Sequence, residues 1–110
     1  MRSLIVAAAI AAAPVLAAAS SLTPSAIVAS PSTYDGKTVT VTGKVSRFST
    51  SSTPMGPVAG FQLCDAKCIV VIDKTNQSRS NGASAMVTGT FHLTFKGPRR
   101  TFTNALVISP

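Results

Sequence analysis

The chain has no glutamate and no tryptophan, and it carries histidine and tyrosine once each, as His92 and Tyr34. Its acidic side chains are three aspartates, Asp35, Asp65 and Asp73, all at expected turns or strand ends. General acid/base catalysis needs two titratable groups placed together, and a nucleophile triad needs a base held by a carboxylate. No such set can be assembled, so the chain is not expected to be an enzyme. A zinc site wants about four ligands, and only His92 could join the two cysteines, Cys64 and Cys68. Neither a metal nor a cofactor is expected. Long apolar runs are also missing: the one candidate, residues 4–16, contains Pro14 and is shorter than the roughly 20 residues that span a bilayer.

That apolar run follows Met1-Arg2 and ends just before Ala17-Ala18-Ala19, an A-x-A site ahead of Ser20. This is the layout of a secretory signal peptide. The expected organisation is a signal peptide over residues 1–19 and one domain over residues 20–110, delivered to the periplasm or secreted. No cysteine stands near the site to take a lipid. The charge is lopsided, with ten Lys and Arg against three Asp and a net +7. Removal of Arg2 leaves nine basic residues, about +6. Such a surface attracts polyanions, whether nucleic acid, lipid head groups or acidic polysaccharide, and export favours the last two. The competing account is a charge that serves only solubility.

Residues 37–48 alternate apolar and polar side chains more cleanly than any other stretch, with Val39, Val41 and Val45 on one face and Thr38, Thr40, Thr42, Lys44 and Ser46 on the other. Period-two alternation predicts a half-buried strand. Residues 85–95 repeat the pattern, and Gly43 and Gly89 are expected to mark bulges or sharp coiling points in these two long strands. Ahead of them, Thr23 and Pro24 can cap and start a short helix that Ser30-Pro31 ends. Two turns of helix are not stable alone in water, so Ile27 and Val28 are expected to plug an open end of the sheet. Residues 49–60, rich in Ser, Thr, Pro and Gly, predict a long loop. A hairpin follows around Asp65-Ala66-Lys67, with Cys64 opposite Cys68, Leu63 opposite Ile69 and Phe61 opposite Val71. Val70 and Ile72 fall on its outer face, either covered by the Pro-rich loop or exposed for a protein partner. Residues 74–82 have no apolar stripe and predict a loop, and residues 101–108 form a fifth strand in a meander.

The short helix, the turn Tyr34-Asp35-Gly36-Lys37 and the run Val39-Thr-Val41-Thr-Gly43-Lys-Val45 together resemble the opening of small exported OB-fold proteins of the tRNA-anti-like kind. The likeness extends over about residues 22–108 and implies an all-β fold, a five-stranded Greek-key OB-type barrel with a short N-terminal helix. It does not extend to the haem chaperones of cytochrome c maturation, whose His is followed four residues later by Tyr, because Lys96 holds that position after His92.

Two cysteines flanking a hairpin loop in an oxidising compartment are expected to be joined, with unpaired thiols the alternative; C-x-x-x-C is not the thioredoxin-like spacing. For ligands, the resemblance directs attention to the loops after strands one and four, which flank the binding face of OB barrels. Arg47 stands at the first and Lys96, Arg99 and Arg100 at the second. Phe48 breaks the apolar phase of its strand and is therefore expected to be exposed as a stacking platform. The competing account is a solvated turn whose arginines touch nothing.

Overall fold

The computed structural model describes residues 21–54, 56–97 and 100–110; the leader expected over residues 1–19 lies outside them, as does Arg99. The start of the domain follows its local chemistry. Thr23 Oγ1 accepts from the Ala26 amide at 3.2 Å, and Pro24 occupies the first helical position, where no amide hydrogen is needed. Helix α1 (Pro24–Ala29) stops at Ser30, and Pro31 begins a further helical turn, α2 (Pro31–Tyr34). Ile27 is wholly buried in the core and Val28 packs against it.

The rest is strand: β1 (Thr38–Thr53), β2 (Gly56–Cys64), β3 (Cys68–Asp73), β4 (Ser84–Lys96) and β5 (Thr101–Ile108). The all-β expectation holds. The β2–β3 hairpin has the expected register, Cys64 with Cys68, Leu63 with Ile69 and Phe61 with Val71, and its two cysteines form a disulfide. The long loop expected over residues 49–60 is not a loop. Ser49 pairs with Gly60, and the ladder continues to Thr53 with Gly56, so β1 and β2 extend to a tight turn next to Gly56 at φ +113. Thr suits strands, and each polar strand here supplies the other's backbone partners.

A simple meander also fails at one step. β3 and β4 are not neighbours; β3 pairs in parallel with β5, and β4 lies between β5 and β1. Every strand therefore has two partners, in the closed order β1-β2-β3-β5-β4. Lys44 meets Cys64 on one side and Ser84 on the other, yet the ladder followed from Cys64 through β3 and β5 arrives at Thr94. One circuit thus climbs ten residues along β4. So large a stagger tilts the strands and leaves an interior that side chains fill. Val41, Val45, Leu63, Val71, Phe91 and Leu106 fill it.

Gly43 and Gly89 are not bulges, because the register runs unbroken past both. They are points of close approach: a Cβ at Gly43 would lie 2.9 Å from the Cys64 carbonyl oxygen, and one at Gly89 2.5 Å from that of Val107. The free edge of the first half of β1 is covered by Leu22, whose amide donates to Thr40 O (2.8 Å) and whose carbonyl accepts from Thr42 N (2.9 Å). Among the described residues no helix is long and apolar enough to cross a membrane.

Candidate functional site

The bulge lies in β1 between Ser46 and Ser49, where Arg47 and Phe48 together oppose Phe61. Arg47 adopts φ +54 and is exposed. One extra residue in an alternating strand inverts everything after it. That inversion explains Phe48, whose apparent break of phase is a turn toward the interior. Its ring is half-buried, 6.3 Å from the Phe61 ring, and its amide donates to Asn81 Oδ1 at 2.9 Å. The exposed platform expected there is not present.

A residue that sequence reasoning passed over completes this end of the barrel. Arg79, in the polar linker between β3 and β4, lays its guanidinium 5.3 Å from the Phe61 ring centroid. One Arg79 N–H donates to Gln77 Oε1 at 3.1 Å, while Nε is buried without a partner. Nothing in the local pattern of residues 74–82 marks Arg79, because the contact depends on a strand distant in sequence.

The second group of candidates sits elsewhere. Lys96 pairs with Thr101 at the end of the β4–β5 hairpin and is exposed, and Arg100 lies 5.0 Å over the Phe102 ring. Phe61 is in register with Val71 and Leu106, and Phe102 is four residues from Leu106 along β5. At about 3.3 Å per residue the two arginine-covered rings stand roughly 13 Å apart along the strand direction. The structure thus separates Arg47 from Lys96 and Arg100 rather than gathering them into one patch.

The three carboxylates are all occupied within the fold. Asp35 Oδ1 accepts from the Leu93 amide at 2.8 Å, and Asp73, fully buried, accepts from the Thr75 amide and hydroxyl. Asp65 Oδ1 takes the Ser25 hydroxyl at 2.7 Å and the Ser25 amide at 3.0 Å, tying α1 to the β2–β3 turn. The Ser25 hydroxyl bond holds the Asp65 carboxyl below its ordinary value of 3.8 against a smaller opposing desolvation, and the Lys67 and Ser25 amides add to the lowering. Among the described residues, no Lys or Arg makes an ion pair. Lys44 borders a shallow, open depression of about 480 Å³ with Thr42, Gly43, Cys64, Asp65 and Ser84, where β1 leaves β4 for β2.

His92 is half-buried with its ring 5.6 Å from that of Phe95. No group of three or more metal-ligating side chains occurs among the described residues. Val70 and Ile72 are half-buried; the parallel register sets them beside Ala105 and Val107, which are 0% and 5% exposed. Compared with known proteins, the chain matches no family model, no curated protein and no solved structure.

Proposed function

We propose that the chain is a non-catalytic, exported binding module of the OB type that takes an anionic ligand. The observation that carries this reading is the division of charge: the aspartates are spent on internal hydrogen bonds, while among the described residues no lysine or arginine pairs with a carboxylate and all of them but Arg79 are exposed. Fields of one sign raise the local concentration of oppositely charged polymers. Two further features support it. The ring order β1-β2-β3-β5-β4 matches the connectivity of the OB type, whose β2–β3 face and neighbouring loops bind oligonucleotides and oligosaccharides. Arg47 is a cation kept at a backbone position that glycine would fill with less strain. Export is supported by the disulfide, since such bonds persist in oxidising compartments.

The test is fluorescence anisotropy of a labelled heparin oligosaccharide over a salt series, comparing the protein with Arg47→Gly and with Arg99→Ala/Arg100→Ala. Each lost cation contact should lower the slope of log affinity against log salt by about one. Affinities that match in all three proteins overturn the assignment of these residues. A second reading, docking of a protein, rests on Val70 and Ile72, the half-buried apolar residues of the outer face of β3. It predicts an affinity that barely changes with salt.

A further inference from the structure

The aromatic side chains discriminate among the polyanions. Proteins that hold single-stranded nucleic acid stack successive bases on open ring faces, and much of their affinity comes from that stacking. Here each described ring is already engaged. Phe91 and Phe61 are 0% and 3% exposed, Phe48 packs on Phe61, and Phe95 faces His92. Tyr34 packs against the core, and Phe102 lies under Arg100.

The arginine on Phe102 is the positive half of the inference. A guanidinium lying on a ring commits its face to the π system and keeps its N–H edge for acceptors. That edge forms a planar fork matching a planar carboxylate in two parallel hydrogen bonds. Arg100 is exposed, its edge meets no acceptor among the described residues, and Lys96 stands one pair along the same hairpin. Gly97 makes room for the arrangement. Its amide donates to Arg100 O at 2.8 Å, and a Cβ there would lie 3.1 Å from the Phe102 ring. The hairpin end thus carries an exposed guanidinium beside a second cation, and the ring closest to it, Phe102, is half-buried beneath that guanidinium.

Resting on the anion-binding reading above, we propose that the polymer is a uronate-type acidic polysaccharide, its carboxylates taken by the Arg100 fork with Lys96 beside it, and not single-stranded nucleic acid. The experiment compares labelled oligogalacturonate with labelled oligothymidine of equal charge on the oxidised protein, at matched salt, for wild type and Arg100→Lys. Urea melts check that the variant is equally folded. The expected result is oligogalacturonate binding at least as tightly as oligothymidine. Arg100→Lys, which keeps the charge but loses the fork, should weaken the glycan by about fivefold. Oligothymidine binding about tenfold tighter would overturn the proposal by revealing a stacking contribution. So would a lysine variant that leaves the glycan unaffected. If neither probe binds at low salt, the anion-binding reading itself fails, which is a different outcome.

Discussion

Replacing Arg47 by glycine should make the protein more stable and a poorer binder. Among the described residues three non-glycine residues adopt positive φ: Arg47 at +54, Asn76 at +56 and Asn104 at +56. Asparagine visits this region readily, whereas an ordinary L-residue is penalised by its Cβ, by about 1–2 kcal/mol. Glycine removes that cost, but it makes the unfolded chain more disordered, which takes back about 0.5–1 kcal/mol. The difference favours Arg47→Gly by about 0.5 kcal/mol, roughly a 3 °C rise in Tm for a domain of this size. Arg47→Ala retains the Cβ and should leave stability nearly unchanged. Arg47→Val, branched at Cβ, should lose about 1 kcal/mol. Urea melts of the three variants, run beside heparin titrations, give both quantities. A glycine variant less stable than wild type would show that the Arg47 side chain itself supports the bulge, and the case for its retention as a ligand contact would collapse.

Adding a methyl group at the close-approach glycines should be costly. Gly89→Ala places a Cβ 2.5 Å from a backbone oxygen and is expected to lose about 3 kcal/mol, and Gly43→Ala, at 2.9 Å, somewhat less; denaturant midpoints in the reverse order would contradict the packing described. Opening the disulfide with Cys64→Ser/Cys68→Ser releases a five-residue loop and should cost about 2 kcal/mol by the loop-entropy estimate, read as a lower urea midpoint at unchanged m. The Asp65 link to α1 depends on pH with a definite sign. Its carboxyl is depressed in the folded state, so its contribution is present above about pH 4 and is lost as pH falls through the folded value. The protection factor of the Ser25 amide, its exchange rate relative to the intrinsic rate at the same pH, should fall on acidification, and in Asp65→Asn it should be low and nearly independent of pH; equal acid sensitivity in that variant would rule out the link as the cause.

Much of the architecture could be read from local pattern, because its causes are local. Alternation revealed the first half of β1, β4 and β5, and the three residues between the cysteines set the hairpin register. The misreadings share another origin. Residues 49–60 have loop composition, yet each half pairs with the other, and only the fold makes that partner available. Phe48 was legible as a break of phase, but a break has two meanings, exposure or a bulge. The backbone at Arg47 chooses between them, and no side-chain pattern encodes it. The placement of Arg79 on Phe61 and the distance between Arg47 and Arg100 are set by the closure of the ring.

The position of β5 changes what it means to shorten this protein from its C-terminus. Chain ends are usually dispensable unless they are tied down, but the final strand here is a keystone. It joins β3 on one side and β4 on the other, and Ala105, Leu106 and Val107 are buried. A nick that frees the residues after Thr101 would not trim an edge. It would create two, baring the backbone of β3 and of β4 together, and unpaired strands of that kind are templates for association with other chains. Wherever proteases reach it, the survival of residues 102–110 decides whether the molecule remains a ring.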